Sequence, residues 1–348
     1  MEKVVNPWLP SLLQGWFVVA ESRRVLAKPL PVMLLGKPFV LARLPTGGLT
    51  ALEDRCPHRQ YPLSAGRITE AGLQCGYHGW TFGADGRCTR VPGSTEGRCP
   101  PQVGVRTFQV KEHGGLVWLR ACTADVSADV QLPDFIGSRP AGSLRFMQRL
   151  QWQSDAFDAL ENFMDPLHTH LTHPGLVRRD GSRRTVTATP TLDAQGMTVT
   201  YEGSEEQNGL LYRLFESPRL LERAHHRVAA PGSACIEYRY RNGSAVFFTL
   251  HFTPQQAWET LVHASLHVEG RWAPGWAVRL FAWPFLRRVA RQDQDAVEKQ
   301  ARNKQRFGQR SDASTELDIV SRYLREIWHG QSGPAATASP VEPIVLML

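Results

Sequence analysis

The sequence has no uninterrupted apolar run of the roughly 18–20 residues that a membrane-spanning helix needs. Its best candidate, 32–44, is broken by Gly36, Lys37, Pro38 and Arg43, so no membrane partner is expected. The start, Met1-Glu-Lys-Val-Val-Asn-Pro7, lacks the basic, apolar, small-residue order of a secretory leader, and a cytoplasmic location is expected. Cysteine is scarce. Six in 348 residues exclude a disulfide scaffold, and in a reducing compartment a close Cys/His cluster reads as metal-binding. Neither charge sign dominates: 40 Lys and Arg against 33 Asp and Glu leave +7, short of a nucleic-acid-binding tail and equally compatible with an acidic protein partner or an anionic substrate. No repeat of 20–50 residues stands out, which excludes a solenoid. No Gly-rich dinucleotide fingerprint follows a strand, so any nicotinamide or flavin is expected on a separate protein.

What the chain does have is glycine and proline, 29 and 24, favouring a loop-rich, β-heavy fold, and 15 Phe, 10 Trp and 7 Tyr to fill large cores. The length suits about two domains. Residues 32–92 read as short strands separated by turn signals, including Pro45-Thr-Gly-Gly48 and Ala84-Asp-Gly86. A looser stretch, 122–142, carries Pro133 and Pro140 and marks a boundary near its start, giving domains 1–125 and 126–332 and a flexible tail, 333–348, whose apolar tip could dock elsewhere. Within the second domain, apolar spacing predicts a helix over 152–171 and another over 286–307. Alternation over 235–241, then Asn242-Gly243 and 246–252, predicts a β-hairpin.

Two clusters carry chemistry. Cys56-Pro-His58 and Cys75-Gly-Tyr-His78 each follow a predicted strand, so two adjacent loops could grip one metal centre from both sides. Two Cys with two His also suit structural zinc, but zinc modules usually pair cysteine with cysteine. Here each loop offers one thiolate and one imidazole, the arrangement of a [2Fe–2S] centre in which Cys holds one iron and His the other. The remaining cysteines, Cys88, Cys99, Cys122 and Cys235, are assigned no chemistry. The second cluster is Glu161-Asn162-Phe-Met-Asp165-Pro-Leu-His168-Thr-His170-Leu-Thr-His173-Pro174. Asp165 and His168 share a helix face, whereas His173 lies about 140° further round an ideal helix and needs the backbone bent, which Pro174 provides. Two His with one carboxylate and open positions is the facial triad of non-haem Fe(II) oxygenases.

The segments CPHRQYPLSAG (56–66), CGYHGWTF (75–82) and DGRCTRVPG (85–93) resemble the Rieske segment of the Rieske non-haem iron oxygenases, and Asn162-x-x-Asp165-x-x-His168-x4-His173 is similar to that family's catalytic motif. The resemblance spans about 16–307 and implies an α+β chain: an N-terminal all-β Rieske [2Fe–2S] domain, then a helix-grip (START-like) catalytic domain with an antiparallel sheet and helices. It implies Cys56, His58, Cys75 and His78 as cluster ligands, and His168 and His173 as ligands of a mononuclear Fe(II). Asn162 matches a position near the iron that is not usually a ligand, and His170 is read as a supporting residue. Asp165 would join His168 to the second Rieske histidine, His78, of a neighbouring subunit, implying a homotrimer. The third ligand would be Asp293, followed by Glu298 and Gln300, with Asp295 as its competitor.

The implied activity is a terminal oxygenase using O2 and electrons that reach it from NAD(P)H indirectly, through a ferredoxin or flavin reductase. The compact layout resembles the vanillate O-demethylase and dicamba monooxygenase types, which points to monooxygenation or demethylation of a small aromatic or cyclic substrate. Arene cis-dihydroxylation, and hydroxylation or desaturation of a natural product, use the same ligands and stay open. Outside catalysis the rivals are an electron carrier or binding protein lacking catalytic iron, and a zinc scaffold. Aromatics over 247–283 could line a pocket or simply fill the core.

Overall fold

The computed structural model describes all residues except 1–7, 46–47, 94–98, 101, 124–131, 133–143, 179–180, 182, 194–195, 204–218, 228–229, 241–242, 271–275, 277, 309–311 and 331–341. The chain divides into two compact units, 1–132 and 133–348. The expected boundary at 125/126 lies outside the described residues.

The first unit is built on β-strands, with one short α-helix among the described residues, α1 (Pro10–Gln14). Strands β1 (Trp16–Glu21), β2 (Leu30–Leu34), β3 (Lys37–Arg43), β4 (Leu49–Glu53), β9 (Thr107–His113) and β10 (Leu116–Thr123) form an antiparallel sheet in the order β1-β10-β9-β4-β3-β2. Between β4 and β9 the chain makes a smaller sheet, β5 (Arg67–Thr69), β6 (Gly72–Gln74), β7 (Thr81–Phe82) and β8 (Cys88–Arg90). Val40, Leu52, Leu63, Leu73 and Phe82 bury together, and Cys56 and Cys75 lie in that same core. Burial of these apolar side chains therefore fixes the stems of both Cys/His loops.

The second unit is one antiparallel sheet carrying helices. Its strands are β11 (Leu144–Trp152), β12 (Thr185–Asp193), β13 (Gly196–Gly203), β14 (Arg219–Arg227), β15 (Ser233–Tyr240), β16 (Ala245–Gln256), β17 (Glu259–Glu269) and β18 (Ile344–Met347), ordered β11-β17-β16-β15-β14-β13-β12-β18. The hairpin predicted around 242–243 is β15–β16; Asn242 itself is outside the described residues. Strand alternation sorts the two faces. Phe146, Val246, Leu266, Val268 and Tyr240 pack with Leu286 of the long helix α4 (Trp283–Phe307), while Cys235, Glu237 and Arg239 alternate onto the opposite face. Among the described residues no helix is long and apolar enough to cross a membrane.

Three expectations need correction. The helix predicted over 152–171 is shorter at both ends. Trp152 still pairs with Thr260 in the sheet, and helix α2 (Ala156–Met164) starts after Asp155, whose carboxylate accepts from the Phe157 and Asp158 amides. It stops because Asp165 precedes Pro166 and is held extended, φ −84°, ψ 120°. The bend thus comes first from Pro166, and Asp165 and His168 do not share one continuous helix; a second short helix, α3 (Thr169–Thr172), follows. The C-terminal helix begins at Trp283, with a π-helical turn over Val278–Ala282 before it. The segment expected to be a flexible tail ends in β18, which pairs Leu346 with Val186 of β12, and Leu346 is buried. An edge strand with open amides and an apolar tip to cover it explains that docking.

Glu237 accepts from His225 Nε2 at 3.2 Å and from Arg239. Burial works against its charge, but the His225 and Arg239 contacts prevail and hold its carboxyl down at about 2. A depressed carboxylate stabilises the fold above its unfolded value, near 4.3, and that contribution fades as pH falls towards 2. Glu237→Gln is therefore expected to be less stable than wild type at pH 7, with the gap in thermal midpoint closing between about pH 4.3 and 2. A gap independent of pH would contradict this.

Candidate metal centres

The two Cys/His loops are built alike. The Cys56 amide donates to Tyr61 O at 2.9 Å and Gln60 N to Cys56 O at 2.9 Å; the Cys75 amide donates to Trp80 O at 2.8 Å and Gly79 N to Cys75 O at 3.1 Å. In each loop the residue four after the cysteine is left-handed, Gln60 at φ 61° and Gly79 at φ 73°. The pairs thus face each other as twins. The His58 and His78 ring centroids are 4.6 Å apart, His58 stacks on Trp80 at 4.8 Å, and His78 is exposed beside Tyr77.

Burial, together with the neighbouring Cys75, pushes the Cys56 thiol up, against backbone amides of His58 and Arg59 aimed at its sulfur. Burial, His78 and Arg59 lower His58 and favour the neutral ring that a ligand needs. His58 Nδ1 is buried with no hydrogen-bond partner among the described residues. Two buried sulfurs, amides aimed at one of them and an orphaned imidazole nitrogen fit a [2Fe–2S] cluster held by Cys56, Cys75, His58 and His78. The other cysteines give no such convergence; burial and nearby Cys99 push Cys88 up to about 12, a neutral thiol.

In the second unit, His168 Nε2, His173 Nε2 and Asp293 Oδ1 converge. Oδ1 lies 3.2 Å from His168 Nε2 and 2.9 Å from His173 Nε2, and the three donors form a group within 4.8 Å of one another. Helix α4 delivers the acid: Asp293 shares the inward stripe with Leu286, Val297 and Ala301. Asp295, two residues on, faces outward and pairs with Lys299 at 2.6 Å. Glu298 pins the helix to the end of β11, its Oε1 accepting from the Gln153 amide at 3.1 Å and from Gln294 Nε2 at 2.8 Å.

The imidazoles come from the broken helix. Arg178 Nη1 donates to Pro166 O at 3.1 Å and to Thr169 Oγ1 at 3.0 Å, holding the turn on either side of His168. His173, at φ −120°, ψ 53° before Pro174, leaves the helical region as expected.

Each donor has a polar neighbour, within hydrogen-bond distance for Asp293 and His173 and beyond it for His168. Asn162 Nδ2 donates to Asp293 Oδ1 at 3.2 Å, His173 Nδ1 lies 3.1 Å from Gln292 Oε1, and His168 Nδ1 faces Asp165 Oδ2 at 3.9 Å. Burial opposes charge here, yet the contacts with Asp165 and Asp293 push His168 up to about 9, and the two histidines hold Asp293 down at about 2. A cation of charge +2 held by neutral imidazoles would balance this carboxylate in the same place. The donor set fits a 2-His-1-carboxylate iron site. His170 is buried but outside the group.

The donors open onto a cavity. Phe163, Met164, Leu286 and Val289 form one wall, and Tyr201, Ile236, Tyr238, Tyr240 and Phe248 the other. Of the aromatics expected over 247–283, Phe248 lines this cavity, Phe247 is core, and Trp283 packs against Leu286 while lining a neighbouring cavity that also reaches Asp293. Tyr201, Arg178 and Gln292 belong to no motif in the sequence, and Tyr238 and Tyr240 are marked there only by the alternation they share with Ile236. On its other side Asp165 borders a polar cleft with Glu161, Gln300, Asp312 and Arg325.

Residues 15–109 match the Rieske [2Fe–2S] domain family, and residues 152–330 match the vanillate O-demethylase oxygenase C-terminal domain family. The chain therefore belongs to the family defined by that C-terminal oxygenase domain, carried behind a Rieske domain. It is 34% identical over 173 residues to the dicamba O-demethylase oxygenase component of Stenotrophomonas maltophilia, covering 42% of this chain and 50% of that one. To methylxanthine N1-demethylase NdmA of Pseudomonas putida it is 35% identical over 149 residues, 42% of this chain and 41% of that one. These matches span half or less of the relatives' own lengths. The solved structure of NdmA with caffeine superposes with a TM-score of 0.77 at 23% identity, covering 97% of each chain, so the α+β fold expected from the sequence is the fold found.

Gly79 tests the twin-loop geometry. A Cβ there would lie 2.8 Å from Pro92 Cγ at a left-handed φ, so Gly79→Ala is expected to cost at least about 1–2 kcal/mol, read as a lower urea midpoint. An unchanged midpoint would contradict the geometry.

Proposed function

We propose that this chain is a terminal oxygenase that uses O2 and electrons to hydroxylate, or to O- or N-demethylate, a small aromatic or cyclic substrate. The observation that carries this is the cavity: His168, His173 and Asp293 present their donors at the edge of an apolar, aromatic-lined space. A bound Fe(II) with open positions would supply O2 activation there. The names of the dicamba O-demethylase and methylxanthine demethylase relatives support a substrate of this class.

The chain's own residues would do the rest. Phe163, Tyr238, Tyr240 and Phe248 line the space, exclude water and hold a flat ring against the donors. Asn162 and Gln292 keep Asp293 and His173 oriented, and Arg178 steadies the turn that presents His168. Cys56, Cys75, His58 and His78 would hold the [2Fe–2S] cluster, with the exposed His78 as the exit for electrons. Asp165, which borders both the cavity and the polar cleft, would link His168 to the Rieske histidine His78 of a neighbouring copy in a cytoplasmic homotrimer, a bridge across which electrons pass without residing on the carboxylate. The reducing equivalents would start on NAD(P)H and arrive through a separate ferredoxin or flavin reductase.

The test is metal content with turnover. Anaerobically purified wild type is expected to carry about three irons and two acid-labile sulfides per chain. Asp293→Ala is expected to keep about two irons and two sulfides, and to lose turnover of aryl methyl ethers and N-methyl heterocycles. A variant that retains the third iron, or zinc without sulfide in the wild type, would overturn the proposal.

A further inference from the structure

The two imidazoles at the proposed mononuclear site are held by different chemistry. His168 Nδ1 faces a carboxylate, that of Asp165, at 3.9 Å, whereas His173 Nδ1 lies 3.1 Å from the neutral side-chain oxygen of Gln292. Gln292 adjoins Asp293 on α4, so consecutive residues of one helix touch the two nitrogens of one ring: Asp293 Oδ1 at Nε2, 2.9 Å, and Gln292 Oε1 at Nδ1. His173 is 1% exposed, so bulk solvent does not compete for this contact.

We propose that Gln292 is a positioning residue that sets the tautomer of His173. A neutral imidazole carries one N–H. With that proton on Nδ1, donated to Gln292 Oε1, the Nε2 lone pair is directed at the place where a metal would sit among His168, His173 and Asp293. With the proton on Nε2 the ring cannot be a ligand there. A glutamine does this without adding negative charge beside Asp293, whereas the carboxylate opposite His168 is left for the bridging role proposed above. Partners of this kind typically change metal affinity 10–100-fold when removed.

The inference rests on the metal site proposed above, and the experiment separates the two. Full-length protein is stripped of mononuclear metal with a chelator and titrated anaerobically with Fe(II) alone, as wild type, Asp293→Ala, Gln292→Met and Gln292→Glu. Thermal midpoints are measured alongside. Asp293→Ala is expected to lose the site. Gln292→Met keeps length and helix propensity but cannot accept the N–H, and is expected to bind Fe(II) about 10–100-fold more weakly at a thermal midpoint near that of wild type. Gln292→Glu offers only acceptors and is expected to restore wild-type affinity or better.

Unchanged affinity in Gln292→Met would overturn the assignment. So would a Gln292→Glu variant as weak as Gln292→Met, because the amide nitrogen would then be the donor and the opposite tautomer the resident one. Wild-type binding in Asp293→Ala would instead remove the metal site itself, whatever the Gln292 variants do.

Discussion

A carboxylate buried between two imidazoles is the contact around which the second unit is arranged. Taking Asp293 out of water is costly unless its charge is compensated, and three groups on another segment of the chain compensate it: His168, His173 and Asn162. The consequence is mutual, with His168 raised and Asp293 depressed. Such a contact demands that a helix near residue 293 and a turn near residue 170 be placed to within a few tenths of an ångström. The rest of the unit can be understood as the means of doing so. The sheet gives α4 an apolar face, Glu298 fixes its height against the end of β11, and Lys304 bridges to Asp158 of α2 at 2.9 Å.

The first unit solves a related problem by duplication. Two loops of near-identical backbone hydrogen bonding, rooted in one core through Cys56 and Cys75, present a thiol and an imidazole each. The sulfurs are buried and His78 is exposed, so a cluster held there is shielded on its cysteine side and reachable on its histidine side. That polarity suits a group that must pass electrons outward without admitting solvent to the sulfurs.

Metal chemistry made much of this readable from the sequence. Ligand types and spacings are dictated by the ion, so Cys56, His58, Cys75, His78, His168 and His173 stand out as patterns. Asp293 was separable from Asp295 in one dimension only by its spacing to Glu298 and Gln300, and by helix periodicity once α4 was oriented against the sheet. Residues that act through packing left no such mark. Gln292 looks like any half-buried helical polar residue until His173 is found beside it. Tyr201 comes from a strand far from the motif, and its place in the cavity is decided by the eight-strand order. The break at Pro166 was masked by apolar spacing that continued across it, and β18 by a composition that resembles a tail.

The central claim is that each unit holds iron, three ions in all, at the residues named. Anomalous diffraction at the iron edge from crystals of anaerobically reconstituted protein addresses it most directly. The account predicts one peak within bonding distance of His168 Nε2, His173 Nε2 and Asp293, and a closely spaced pair of irons between Cys56, Cys75, His58 and His78. Iron density at other residues, or a second unit whose three donors stay in direct contact with each other while the Rieske pair is fully occupied, would contradict it.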